Sequence, residues 1–383
     1  MNSNRFETFY DAVLAIVITI LVLKIPQPVS PEWGAFLGNS LVFTTYAIVF
    51  LAIINIWYNN HNLFQYFDEI DNRALFAYGF NLFLISLFPY FALWISMNPY
   101  SLTAETIFGL IIFFANISHI IAIFAVYGAN RYNEKLKEFN IKTIHYLVPI
   151  LIIIIGFIIS YTVYAPGIYV ASLISVFVSI IYNRVQREEF EDTDRFEALI
   201  DAIVAIIITI IVLGIPLAVN GSLGALLDLR LEFLAYLISF IVVFNIWKLT
   251  YNAFSIINKI SYKVIWSTAT MLFFLSLVPY LTTFVAMNFY DFVPQCIYGI
   301  NFMILAICSA INAYELKKID KSNIYLQKTS DSYNNLIITF VLTCIFIAIG
   351  YYYYPPIIIL SCLLSVCLRV VFVSKKINLL EIV

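Results

Sequence analysis

The chain has 383 residues and a net charge of -2, with 11% charged residues against 62% hydrophobic ones. Soluble domains carry roughly 25% charge, so this composition, with a mean hydropathy of +0.93, excludes an ordinary water-soluble globule and selects lipid as the solvent. The five cysteines (Cys296, Cys308, Cys344, Cys362, Cys367) form no CxxC pair and the three histidines are scattered. With no Walker loop, dinucleotide fingerprint or nucleophile motif either, neither enzyme, cofactor, resident metal nor nucleic-acid partner is expected.

Taken from the N terminus, the first apolar stretch follows Arg5-Phe6-Glu7 and has no small-residue cleavage site. It therefore reads as a membrane span and not as a signal peptide. Pro26, Pro28 and Pro31 end it and supply a short loop. Further apolar stretches place helices near 8–25, 40–58, 73–96, 104–127, 145–163 and 167–184. A charged run follows, from Arg184 to Arg195, whose core (188–194) reads as a solvated cytoplasmic linker. Beyond it the pattern starts again, with helices near 198–215, 230–248, 263–286, 294–314, 335–353 and 357–373.

The restart is a duplication. Residues 5–26 align with residues 195–216 at an offset of 190, with 14 of 22 positions identical. The same register carries Asn55-Ile-Trp57 onto Asn245-Ile-Trp247, Pro89-Tyr90 onto Pro279-Tyr280, and Gly109 onto Gly299. The expected fold is an all-α polytopic membrane protein of 12 transmembrane helices, built as two parallel six-helix repeats (1–187 and 195–383). With the N terminus inside, only Lys24 and Arg230 of the 21 basic residues fall outside. That asymmetry predicts two cytoplasmic termini. Because six is even, both repeats then share one orientation, which excludes an inverted-repeat carrier.

Ionisable side chains avoid the centre of the predicted spans. A proton-coupled carrier needs such groups near the midplane, so a monomeric secondary transporter with its site between the repeats is the rival reading. A pore lined by aliphatic and hydroxyl side chains fits better. On the duplicated first helix, Ile16, Thr19 and Leu23 share a stripe that Phe9 and Val13 extend, with Asp11 turned away from it. Taken alone, an isoleucine there would be an ordinary lipid-facing or packing residue. Repetition of the whole Ala-Ile-x-Ile-Thr-Ile segment around Ile206 and Thr209 sets a pore-lining role level with that ordinary one.

The spacing Arg5, Phe9, Asp11 resembles the Arg-x-x-x-Phe-Ser-Asp signature of transmembrane protein 175, a family of lysosomal and prokaryotic potassium channels. Arg195, Leu199 and Asp201 repeat it more loosely, and Tyr10 and Ile200 stand where the serine would be. The resemblance implies a potassium-selective, leak-type cation channel, with proton permeation compatible with it. In that family four first helices surround the pore, so a two-copy chain is expected to pair as a homodimer. Carried over by position, the constriction falls on Ile16 and Ile206, with Thr19, Thr209, Leu23 and Leu213 lining the pore beyond. The implied latch orienting the pore helix is Arg5, Asp11, Trp57 and His61 in the first copy. In the second it is Arg195, Asp201 and Trp247, with Tyr251 in the histidine's place. The expected partners are the bilayer, permeant potassium and a second chain. The expected location is the plasma membrane. The polar patch Asn116, Ser118 and His119 reads as interhelical hydrogen bonding.

Overall fold

A computed structural model describes residues 3–64, 70–130, 144–186, 191–255, 257, 259–319 and 332–378. Residues 188–190 of the expected linker lie outside the described residues, as do the connections 131–143 and 320–331, which carry part of the basic charge used for orientation. Among the described residues eight helical stretches are long and apolar enough to cross a membrane, and four shorter apolar helices accompany them.

The chain divides into two compact units, one of residues 1–25 and 40–189, the other of residues 26–39 and 190–383. The first unit contains α1 (Ser3–Ile20), followed by a 3-10 turn at Val22–Lys24, then α3 (Ser40–Phe64), α4 (Asn72–Ser86), α5 (Phe88–Met97), α6 (Leu102–Ala129), α7 (Ile144–Thr162) and α8 (Gly167–Gln186). The second contains α2 (Trp33–Gly38), a two-residue strand β1 (Glu191–Asp192), α9 (Asp194–Leu213), α10 (Leu223–Asp228), α11 (Arg230–Phe254), β2 (Lys259–Ile260), α12 (Tyr262–Ser276), α13 (Val278–Met287), α14 (Phe292–Ile319), α15 (Ser332–Tyr352) and α16 (Ile357–Asn378).

Three features depart from the expected elements. The third apolar stretch of each repeat is one span broken in two, at Leu87 and at Leu277. Pro89 and Pro279 sit in the first turn of the following helix, where their missing N–H costs no hydrogen bond. Just before each break, Ser86 and Ser276 turn their hydroxyls back onto the Phe83 and Phe273 carbonyls, a contact that bends helices. Second, the loop after the first helix holds a short helix of its own, α2, with α10 at the equivalent place in the other repeat. Third, the linker is pinned where it is described. Glu191 and Asp192 pair antiparallel with Ile260 and Lys259, and Thr193 Oγ1 donates to the Ile257 carbonyl.

The repeats share their caps and close contacts. Asp71 caps α4 by accepting from the Ala74 N–H, and Ser261 caps α12 by accepting from the Val264 N–H, as short oxygen-bearing side chains do at helix starts. Between α7 and α8, Ser160 Oγ donates to the Ala165 carbonyl and accepts from the Ile168 N–H, closing the Tyr164-Ala-Pro166 turn. The first helix of each repeat packs on three others of its own repeat: α1 lies on α3, α4 and α5, and α9 lies on α11, α12 and α13.

Candidate pore helices and their latch

Along α1 and the 3-10 turn after it, the side chains of Phe6, Tyr10, Leu14, Val17, Ile18 and Leu21 are buried, whereas Phe9, Ala12, Ile16, Ile20 and Leu23 are exposed. The exposed positions recur every three to four residues, so they form one continuous face of the helix. Ile16 is 48% exposed at its centre. Asp11 is buried on the other side, as the sequence spacing required.

Thr19 needs a correction. It is 0% exposed, and its hydroxyl donates to the Ala15 and Ile16 carbonyls of its own helix. It therefore leaves the stripe, and Ile20 takes the exposed position. The apolar face of α1 then consists of Phe9, Ile16, Ile20 and Leu23, with exposed Thr8 at its N-terminal edge.

The second copy exposes a different face. From Asp201 onward the exposed positions of α9 are Asp201, Ala205, Thr209 and Val212, together with Leu213, while Ile206 is half-buried. Each of the first four precedes by one residue the counterpart of Ala12, Ile16, Ile20 or Leu23. One residue is about 100° of helix, so the two first helices present faces rotated by about that angle. Thr209 is exposed here, its hydroxyl donating to the Ile206 carbonyl. Leu199, the counterpart of exposed Phe9, is buried.

The latch residues sit where the first two spans of each repeat meet. In the second copy Trp247 Nε1 donates to Asp201 Oδ1 at 2.7 Å, and the Trp247 and Tyr251 rings stack with centroids 5.6 Å apart. In the first copy Trp57 and His61, one turn apart on α3, stack nearly parallel, 4.9 Å between centroids and 11° between planes. Both are buried, as is Asp11. Arg5 is exposed on the first turn of α1, and Arg195 is half-buried on that of α9.

Two groups were not anticipated from the sequence. Tyr10 stands at the centre of a buried polar chain. Asn60 Nδ2 donates to its phenol oxygen at 2.8 Å, and the phenol donates to Asn81 Oδ1 at 3.3 Å. Asn81 Nδ2 in turn donates to Ser118 Oγ and to the Ala115 carbonyl, both at 2.9 Å. The chain links α1, α3, α4 and α6. It gives Ser118 the interhelical role expected of it, whereas Asn116 bonds only along its own helix, to the Ile112 carbonyl. In the second copy the same places hold Ile200, Thr250, Met271 and Cys308. The signal was present in the sequence, as three asparagine or serine side chains inside apolar stretches beside an unexpected tyrosine. The second group is Glu105, fully buried, which accepts from the Tyr169 N–H at the start of α8. A carboxylate at a helix N terminus is a capping arrangement.

Comparison with known proteins bears on the same segments. The family model described as "Endosomal/lysosomal potassium channel TMEM175" matches this chain twice, over residues 5–89 and 195–279. A potassium channel of a Chryseobacterium species is 30% identical over 138 residues, 36% of this chain and 72% of the relative. A potassium channel of Streptomyces collinus is 32% identical over 93 residues, 23% of this chain and 45% of the relative. One of Chamaesiphon minutus is 30% identical over 95 residues, 23% of this chain and 47% of the relative. The chain thus spans most of the first relative's length and about half of the other two. Each match of the family model begins at the signature arginine of a first helix and ends near the proline break of the third span.

Proposed function

We propose a function from one premise: the chain belongs to the TMEM175 family of potassium channels. It is a multi-pass membrane protein, and its family is one of ion channels, not enzymes. Our reading is that it conducts potassium through a pore built from α1 and α9. It spans the plasma membrane twelve times with both termini in the cytoplasm. Two chains assemble as a homodimer so that four first helices surround one axis. A two-fold axis through the pore places α1 opposite α1 and α9 opposite α9.

The observation that carries this reading is the exposed apolar face of α1 centred on Ile16. In a helix otherwise packed on three neighbours, it is the face left for an axis. A narrow ring of isoleucines admits an ion only after partial loss of its water, and potassium gives up water more cheaply than sodium. Hydrophobic constrictions of this kind also gate by dewetting. Ile16 supplies the ring fully and Ile206 from the edge of its exposed face. Beyond the ring, Thr209 offers a hydroxyl where water has been lost, and Leu23 and Leu213 line the outer end. Thr19 is buried, so we assign it no contact with the ion. Asp11, Trp57 and His61 in one copy, and Asp201 and Trp247 in the other, hold the pore helix against the second span. Glu105 is the buried acid a coupled carrier would need, but it caps α8, so the carrier reading gains nothing from it.

The test is ion flux in liposomes holding the purified protein under a potassium gradient, with sodium and proton flux read in the same assay. The reading expects potassium flux above sodium flux, and loss of that preference in the Ile16→Asn, Ile206→Asn double variant. Flux that saturates and demands a coupled ion would overturn it.

A further inference from the structure

Residues 26–39 follow the first repeat's pore helix in sequence, yet they pack within the second unit. They form a strap over α13. Tyr280 donates its phenol proton to the Pro26 carbonyl at 3.2 Å, and Gln27 Nε2 donates to the Tyr280 carbonyl at 3.2 Å. Phe36, on α2, stacks on Phe284 with centroids 6.1 Å apart and planes 16° apart. Asn39 Nδ2 closes the strap on itself by donating to the Pro26 carbonyl at 2.8 Å. Beneath it Tyr280 is only 3% exposed.

At the repeat offset of 190 both halves of this contact exist a second time. The strap is 216–229, with Pro216, Leu217 and Leu226 in the places of Pro26, Gln27 and Phe36. The receiving surface is Tyr90 and Trp94 on α5, in the places of Tyr280 and Phe284. Here Tyr90 is 68% exposed, Leu217 95% and Leu226 47%, and Trp94 is half-buried. Lipid does not account for the strap's exposure, because Asn220, Ser222 and Asp228 lie within it and place it in the polar zone at the membrane surface.

We propose that the second strap, 216–229, docks on Tyr90 and Trp94 of a second copy of this chain, which returns the same contact. The intrachain strap is the template. Tyr90 retains the phenol that would donate to the Pro216 carbonyl, and Leu226 against Trp94 replaces one aromatic stack with an aliphatic-on-aromatic contact. Leu217 and Leu229 cannot reproduce the bonds of Gln27 and Asn39, so the exchanged strap is held mainly by apolar burial. Both straps leave directly from the end of a pore helix. The partner therefore fixes the outer end of α9, and the pore is incomplete without it. This inference rests on the two-chain pore proposed above and names its interface.

The experiment is cross-linking in membranes by a short bis-maleimide, in a background with the exposed Cys344 and Cys367 replaced by serine. Leu226→Cys and Trp94→Cys, placed on separate co-expressed chains, are expected to shift the product from one-chain to two-chain mass, with neither chain doing so alone. Phe36→Cys with Phe284→Cys in one chain is the control, joining at one-chain mass. Native mass spectrometry of the unmodified protein is read in parallel. A two-chain mass there without a cross-link at this pair would overturn the strap contact while sparing the dimer, and a one-chain mass would overturn both. A Leu226→Cys, Trp94→Cys chain that joins only within itself would also overturn the exchange. Should the cysteine variants fail to fold, Tyr90→Ala is expected to lose the two-chain species, whereas Ala at the equally exposed Phe76 keeps it. Equal behaviour of the two would reject the proposal.

Discussion

Trp247 Nε1 reaches Asp201 Oδ1 across 2.7 Å, and this bond ties the second span of the second repeat to the N-terminal half of its first helix. Asp201 lies one turn before Ala205, on the same exposed face. The rotation of α9 about its axis is therefore coupled to the position of an indole on α11.

Removing the donor should cost more than neutralising the acceptor. Trp247→Phe loses the bond, and interhelical bonds in membranes contribute about 1 kcal/mol. Asp201→Asn keeps an oxygen that can accept, so most of the stability should remain. Denaturation in detergent measures both, and a larger loss in Asp201→Asn than in Trp247→Phe would show that charge and not the bond holds the helix.

The rotated faces predict unequal constriction residues. Ile16 is exposed and Ile206 half-buried, so Ile16→Asn should lower potassium-over-sodium preference more than Ile206→Asn. Bi-ionic flux in liposomes separates the two single variants. A larger effect at Ile206 would mean that α9 turns by about one residue in the conducting state.

The buried chain through Tyr10 makes a prediction about stability. Tyr10→Phe deprives Asn60 Nδ2 of its acceptor and Asn81 Oδ1 of a donor, and leaving a buried polar group unsatisfied costs about 1–3 kcal/mol. Changing Tyr10, Asn60, Asn81 and Ser118 together to the residues of the second copy (Ile, Thr, Met and Cys) should cost less than the sum of the four single changes, because apolar groups then face one another. The comparison is made by unfolding all five proteins.

A repeated glycine contact gives a fourth. A Cβ at Gly109 would stand 2.6 Å from Ile168 Cγ2, and one at Gly299 would stand 2.7 Å from Ile358 Cγ2. The two isoleucines are themselves 190 residues apart, so each repeat seats its fourth span on its sixth by the same means. Overpacking costs about 1–3 kcal/mol, and Gly109→Ala and Gly299→Ala should each destabilise by that amount. Gly79, inside α4, has open space around it, and Gly79→Ala should stabilise by roughly 0.5–1 kcal/mol. Thermal unfolding of the three variants provides the test.

Much of this molecule was readable from its residues. The 190-residue register, the apolar stretches and the turning of Asp11 away from Ile16 follow from spacing, whereas the pairing of Trp247 with Asp201 was implied only by the family resemblance. Runs of apolar residues form helices in lipid because every backbone group must be paired within the segment. Tertiary structure alone decided which face of each first helix is left open. In a helix that is apolar all round, no contrast between oily and polar sides marks the packed face, so Thr19 could be placed on the stripe from spacing and yet be buried. The breaks at Leu87 and Leu277 were hidden because an early-turn proline leaves hydropathy unchanged. Least legible was the strap. Pro26 to Asn39 shows a proline-rich loop, but its seat on Tyr280 depends on a surface formed more than 250 residues later in the chain, a relation that local spacing does not carry.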